Sequence, residues 1–203
     1  QPDDTVLTEE SLINPETPYA NSTVMCEEIL HDLFTAEPDW RIAILRHGNI
    51  AGAHPSGIIG EWPTGVPGNL MPSLAQVAKD ERGALEIPVR EEGKVDSSGI
   101  RDYVHVMDVA EAHMYVLGWL FNQPQALEVF NIARGEGVTV PEVVKSFEAA
   151  TSKEIATETV AEREGEAATI VADIRHIQEL LKWTPSRTLD DMATDMWRFY
   201  QSL

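Results

Sequence analysis

The sequence has little positive charge, a single cysteine and no long apolar run. Its 15 Lys and Arg stand against 34 Asp and Glu, which gives a formal net charge of −19 and argues against binding a nucleic-acid backbone. The longest apolar-rich stretch, residues 110–121, is interrupted by Glu111, His113 and Gly118. A membrane helix needs roughly 18 apolar residues, so we expect neither a nucleic-acid partner nor a membrane span.

The lone cysteine, Cys26, excludes an intrachain disulfide. This fits a reducing compartment, and we expect a cytoplasmic protein, with an assembly inside an organelle as the alternative. Because Cys26 falls in a helical pattern, it is predicted to be a buried core thiol and not a nucleophile. No cysteine or paired carboxylate completes a zinc set with the histidines, so no metal site is predicted.

Helix and strand patterns interleave along the chain, which predicts an α/β fold. The predicted helices cover 20–36, 70–79, 108–122, 140–150 and 173–181, with a last helix that follows Thr188. The predicted strands cover 41–46, 84–89, 103–106, 127–132 and 155–160. Asp108 is predicted to cap its helix, and Thr188 with Asp191 to form a capping box. Residues 48–69, rich in Gly and Pro, are predicted to form a long loop of the kind that is usually functional.

A glycine-rich loop for a dinucleotide phosphate is missing. Gly135 and Gly137 follow a predicted strand, but Val140 stands where a third glycine would be required. An isolated Gly-x-Gly is weak evidence, and an ordinary turn is favoured.

Four segments carry a more specific pattern. The first runs from Pro18 to Thr23 (Pro-Tyr-Ala-Asn-Ser-Thr), the second covers 45–72, the third covers 99–108 (Gly-Ile-Arg-Asp-Tyr-Val-His-Val-Met-Asp), and the fourth covers 163–166 (Arg-Glu-Gly-Glu). In order and spacing they resemble the UDP-glucose 4-epimerases, members of the extended short-chain dehydrogenase/reductase superfamily. The resemblance extends from about residue 10 to the C-terminus.

The resemblance implies a two-part architecture. In that family an N-terminal Rossmann domain holds NAD, and a smaller C-terminal α/β domain holds the UDP-hexose. We expect residues 1–50 to be a remnant of the Rossmann parallel sheet and 51–203 to be mainly the UDP-sugar-binding domain, with 103–133 returning to the Rossmann sheet. The glycine loop and the catalytic Ser or Thr would then precede residue 1, as expected for a fragment, or come from another chain or a second copy.

The family's chemistry depends on a Tyr-x-x-x-Lys pair, and this sequence departs from it. The enzymes remove a hydride from sugar C4 and return it to the other face, and the lysine activates the tyrosine. Tyr19 is present, but Thr23 stands in place of the lysine. An unassisted phenol titrates near pH 10 and is a poor base at neutral pH, and losing a tuned acid–base group typically costs about 10²–10⁴ in rate. Further departures replace family aromatic residues: His47, Gly48, Pro88 and Ile170.

The nucleotide-sugar side matches the family better. The resemblance assigns substrate binding to Asn49, Asn69, Leu70, Arg101, Arg163 and Glu166, with Glu166 in place of an aspartate. Arginine forks pair well with phosphate oxygens, and Arg46, Arg101 and Arg163 are the cations that could focus an anion within so acidic a chain. Surface ion pairs with the abundant acids are the alternative for each arginine taken alone.

Two functional expectations follow from the resemblance. The first is a UDP-hexose-binding, epimerase-like chain that is catalytically degenerate or part of an epimerase interconverting UDP-glucose and UDP-galactose. The second is a non-catalytic structural subunit of a larger assembly. NAD is the family's cofactor, and we expect this chain not to bind it alone; Tyr19 would contact it only with a front half supplied by more chain, a partner or a second copy in a homodimer.

Overall fold

A computed structural model describes residues 6–89, 98–161 and 168–203. The helices are α1 Pro18–Ala36, α2 Leu70–Ala78, α3 Val106–Phe121, α4 Val140–Thr151, α5 Arg175–Leu181 and α6 Leu189–Gln201. The strands are β1 Arg41–His47, β2 Asn49–Ala51, β3 Leu85–Val89, β4 Ile100–His105, β5 Ala126–Ile132, β6 Gly137–Val138, β7 Thr157–Ala161 and β8 Thr169–Ile170. Within these described ranges, no helix combines the length and apolar character of a membrane span.

The strands pair mainly in parallel, which confirms the predicted α/β class. β1 pairs with β5 from Arg41↔Ala126 onward, β2 pairs with β4, and β3 pairs with β7. Strand β4 also takes β8 in parallel and the short β6 in antiparallel. Parallel neighbours require crossover connections, and the connection from β1 to its neighbour β5 includes α2 and α3.

The helices and strands pack around two apolar cores. One lies among α2, α4, α6 and β3, where Leu74, Phe147, Met192 and Tyr200 are fully enclosed. The other lies among α3, α5 and β5 and encloses Phe130. Helix α1 belongs to neither, because none of its residues is buried.

Helix starts are set by local capping. Thr188 and Asp191 form the predicted capping box at α6, and Thr139 with Glu142 forms another at α4. Asp108 is not a cap: α3 begins at Val106, and the His105 imidazole accepts the Met107 N–H at 3.0 Å. The prediction was wrong because the Asp108 carboxylate instead accepts hydrogen bonds from Ser186 and Arg187, in the segment before α6.

Cys26 and residues 48–69 also differ from what the sequence predicts. Cys26 is exposed, so the predicted core thiol is wrong; its helix has an apolar period, but no described element covers that face. The predicted loop over 48–69 contains β2 at its start, whereas the rest carries no helix or strand.

Candidate functional site

Two adjoining clefts contain most of the residues singled out in the sequence. The larger, about 800 Å³, is lined by the N-terminal loop, the start of α1 and the ends of β1 and β2. The smaller, about 390 Å³, is lined by β3, β4 and the loop before α2. Asn49, Asn69, Leu70 and Tyr103 line both, so the clefts form one continuous groove.

Tyr19 and Thr23 lie in the larger cleft, on the first turns of α1. Thr17 caps the helix by accepting the Ala20 N–H at 3.1 Å, and Pro18 follows in the first turn, where its missing N–H costs nothing. The Thr23 hydroxyl donates to the Ala20 carbonyl at 2.8 Å. Thr23 is therefore folded back on its own helix and supplies no cation beside Tyr19.

Helix α1 is anchored by one ion pair. Arg46 on β1 donates through Nε and Nη2 to the two carboxylate oxygens of Glu27, at 2.9 and 2.7 Å, and through Nη1 to the Glu9 carbonyl at 2.8 Å. The hydrogen bonds that Arg46 donates to the Glu27 carboxylate raise the pKa of its guanidinium. The Arg46 guanidinium is thus held by the Glu27 carboxylate. For this arginine the alternative of an ion pair with an acidic side chain is confirmed.

Arg101 lies in the smaller cleft with Asn69 and Leu70. Its Nη1 donates to the Ile100 carbonyl at 3.0 Å and to the Ala168 carbonyl at 3.4 Å. A side chain at Gly99 would meet the guanidinium, since a Cβ there would lie 2.5 Å from Nη1. Glycine at 99 therefore leaves room for the arginine to lie over the backbone at the cleft wall.

The loop before α2 brings Asn69 and Leu70 to the junction of the clefts. Asn69 occupies the N-cap position of α2, but its amide makes no cap bond and donates instead to Glu61 Oε1 at 2.7 Å. Leu70, the first residue of α2, lines both clefts, so the N-terminus of this helix lies at the groove beside Arg101. Such an end favours negative charge, so this junction suits an anionic group.

Sequence reasoning gave no role to Asp102 and Tyr103, although both belong to the third segment. Burial raises the pKa of Asp102, and main-chain N–H groups of Arg134, Ala172 and Gly135 oppose that rise by donating to its carboxylate. Burial also raises the pKa of the Tyr103 phenol to about 12. Asp102 therefore fixes the loops behind the groove, and Tyr103 lines both clefts as a neutral phenol.

Arg163 and Glu166 lie outside the described residues, so their predicted roles stay predictions. Ile170 lines the larger cleft, where the resemblance expects an aromatic residue. His47, which replaces another aromatic, lies in the same cleft and stacks on His113 with ring centroids 5.5 Å apart. Desolvation and the neighbouring His113 lower the pKa of His47.

Gly135 and Gly137 have other roles than holding a dinucleotide phosphate. Gly135 has a φ of 74° and turns the chain, and a Cβ at Gly137 would lie 2.7 Å from Ile100. These glycines serve a turn and close strand packing. In the described part of the chain, no group of three His, Cys, Asp or Glu side chains is placed to hold a metal ion.

Comparison with known proteins settles the family. The profile of the NAD dependent epimerase/dehydratase family matches residues 1–133. The chain belongs to this family. Among its members, the UDP-glucose 4-epimerase of Yersinia pestis is 41% identical over 186 residues, covering 92% of this chain and 55% of the enzyme. That of Bacillus subtilis is 39% identical, covering 99% and 59%.

Solved epimerase structures share the fold. The UDP-glucose 4-epimerase of Stenotrophomonas maltophila, with bound NAD and formylated UDP-arabinopyranose, superimposes with a TM-score of 0.92 at 34% identity. That of Bifidobacterium longum, in complex with NAD+ and UDP, gives 0.91 at 34% identity. Each superposition covers 98% of this chain and 59% of the epimerase chain. The chain thus spans somewhat more than half the length of its epimerase relatives.

Proposed function

We propose that this chain binds a UDP-hexose in the groove formed by the two clefts. The observation that carries the proposal is that Asn49, Asn69 with Leu70, and Arg101, which come from three separate segments of the sequence, line one continuous groove. The α2 N-terminus and Arg101 offer an anion site at its middle, suited to a diphosphate. Similar epimerases were solved with UDP or a UDP-sugar derivative. Arg163 and Glu166 complete the proposed binding set.

We infer further that the chain is a weak catalyst or none. Thr23, bonded to the Ala20 carbonyl, leaves Tyr19 without the cation that would activate it. Ile170 and His47 change the aromatic lining of the same cleft. Arg46 cannot substitute for the lysine because Glu27 holds its guanidinium.

NAD and a partner belong to the same proposal. Gly135 and Gly137 form a turn and not a phosphate-binding loop. The proposal is therefore that this chain alone does not bind NAD. A second copy or a partner chain would supply the dinucleotide half, and residues 1–50 would be its point of attachment. The proposed cellular location is the cytoplasm.

A binding experiment tests the nucleotide site. UDP is titrated calorimetrically into the chain and into Arg101→Ala, with Arg41→Ala as the matched control. Both variants lose one positive charge, but the exposed Arg41 lines neither cleft. We expect Arg101→Ala to weaken UDP binding at least tenfold and Arg41→Ala to leave it within about twofold. Equal effects of the two variants would contradict a specific site.

A turnover experiment tests the catalytic part. The chain is incubated with UDP-galactose and NAD, and UDP-glucose is sought. Only trace conversion is expected, and robust conversion would refute the degenerate catalyst. The structural-subunit alternative predicts neither turnover nor UDP binding, so the two experiments together separate all three outcomes.

A further inference from the structure

Strand β3 presents an unusual main-chain edge to the smaller cleft. Its register with β7, Leu85↔Thr157 to Val89↔Ala161, places the backbone groups of every second residue toward β7. The Leu85 N–H donates to the Ala156 carbonyl at 2.8 Å. Backbone groups alternate sides along a strand, so Leu85, Ile87 and Val89 face β7, whereas Glu86 and Pro88 face the opposite edge.

That opposite edge has no strand partner among the described residues. Glu86 and Pro88 both line the smaller cleft, together with Arg101 and Asn69. In order, the edge offers the Glu86 N–H, the Glu86 carbonyl and the Pro88 carbonyl. Proline has no N–H, so the donor that any other residue at position 88 would contribute is missing.

The inference that this edge meets the nucleotide base rests on the proposed function. If the diphosphate lies at Arg101 and the α2 N-terminus, and the hexose lies toward Tyr19 in the larger cleft, the nucleoside extends into the smaller cleft. There the flat base meets the β3 edge, and its polar rim can pair with main-chain groups as an added strand would.

We propose that Pro88 sets the base selectivity of this site by withholding a main-chain donor. Uracil presents an N–H beside the C4 carbonyl, and the carbonyl needs a donor next to the Glu86 carbonyl. Cytosine has no hydrogen on N3, so it pairs differently: its C4 amino group donates to the Glu86 carbonyl and its N3 accepts the Glu86 N–H. It thus makes the same two hydrogen bonds that uracil makes without a donor at position 88, and a donor there would add a third bond for uracil alone. The site therefore discriminates little between uridine and cytidine diphosphates, since a carbonyl left unpaired loses its hydrogen-bond contribution.

The test restores the donor with two different side chains. UDP, CDP and pyrophosphate are titrated into the wild-type chain, Pro88→Ala and Pro88→Val. We expect the wild type to bind UDP and CDP within about threefold of each other. Both variants should raise the preference for UDP by about three- to tenfold, the range for one net hydrogen bond. Pyrophosphate, which has no base, should bind all three proteins alike.

Each other outcome has a distinct meaning. A wild-type preference for UDP above tenfold that neither variant changes would overturn the role of Pro88 while leaving the nucleotide site intact. Equal shifts for UDP, CDP and pyrophosphate would also overturn it, since they indicate a general change in the cleft. If none of the three ligands binds the wild type, the proposed function fails, and this inference fails with it.

Discussion

Arg187 closes over the fully buried carboxylate of Asp108, with Nη1 2.5 Å from Oδ1. The same carboxylate accepts the N–H groups of Ser186 and Arg187 and the Ser186 hydroxyl. Asp108 on α3 thus holds the segment that leads into α6. This one side chain ties together the two apolar cores, since α3 belongs to one and α6 to the other.

Removing that carboxylate should destabilise the fold. We expect Asp108→Ala to lower the free energy of unfolding by about 2–4 kcal/mol, because buried donors lose their acceptor. Urea denaturation of the wild type and the variant measures this difference in the free energy of unfolding. The control is Glu111→Ala, which removes the other, more exposed partner of Arg187 and should cost under about 1 kcal/mol. Similar costs for both variants would contradict the anchoring role of Asp108.

Gly60 is required by close packing. A Cβ there would lie 2.4 Å from the ring of Phe199, whereas a Cβ at Gly83 would meet nothing within 4 Å. We expect Gly60→Ala to cost about 1–3 kcal/mol through overpacking. Gly83→Ala should be neutral or stabilise by up to about 1 kcal/mol. Thermal unfolding of the Gly60→Ala and Gly83→Ala variants measures these two effects. A neutral Gly60→Ala would contradict the prediction and show that the Phe199 ring can move away.

Acidification below neutral pH should weaken the fold through histidine. Burial lowers the pKa of His105, whose Nε2 lies 3.3 Å from Asp195, and the charge of Asp195 opposes that shift. Desolvation also lowers the pKa of His47. The unfolded chain therefore binds protons first as pH falls below about 6.5, so stability present above that pH is lost below it. The slope is at most about 1.4 kcal/mol per pH unit for each histidine.

The variants His105→Asn and His47→Gln test this assignment. Asparagine keeps an acceptor for the Met107 N–H but does not titrate. Urea denaturation between pH 7.5 and about 5.5, above the range of most carboxylates, should give a flatter pH dependence for each variant and the flattest for the double variant. An unchanged slope in the double variant would exclude both histidines.

Helix α1 should open more readily than the other long helices. It has no buried residue, and Arg46 with Glu27 provides its main polar anchor. Hydrogen exchange should show weaker protection in α1 than in α6. Glu27→Gln should speed exchange in α1 alone, whereas Glu28→Gln, which removes the same charge from a neighbouring exposed site, should not. Protection of α1 equal to that of α6 would contradict this prediction.

Features set by neighbours in sequence were predictable, and those set by distant contacts were not. The α6 capping box needs only Thr188 and Asp191, and it was found. The exposure of Cys26 depends on what covers α1, and the anchoring by Asp108 depends on residues 78 and 79 positions away. Neither is visible in a local pattern.

The candidate site shows the same division. The residues of the groove were recognised because Asn49, Asn69, Leu70 and Arg101 stand in long specific segments. Commitment of Arg46 to Glu27 could not be foreseen, since an acidic chain offers every arginine many partners. The β3 edge at Pro88 emerges only from the register with β7.

Because α1 is exposed, its residues that line the cleft can change without disturbing the packing of the protein. Thr23 is exposed and bonds only within its own helix, so exchanging side chains there leaves both apolar cores untouched. A substitution at position 23 therefore changes the chemistry of the larger cleft with little effect on folding, whereas one at Asp108 or Asp102 removes an acceptor from buried main-chain N–H groups.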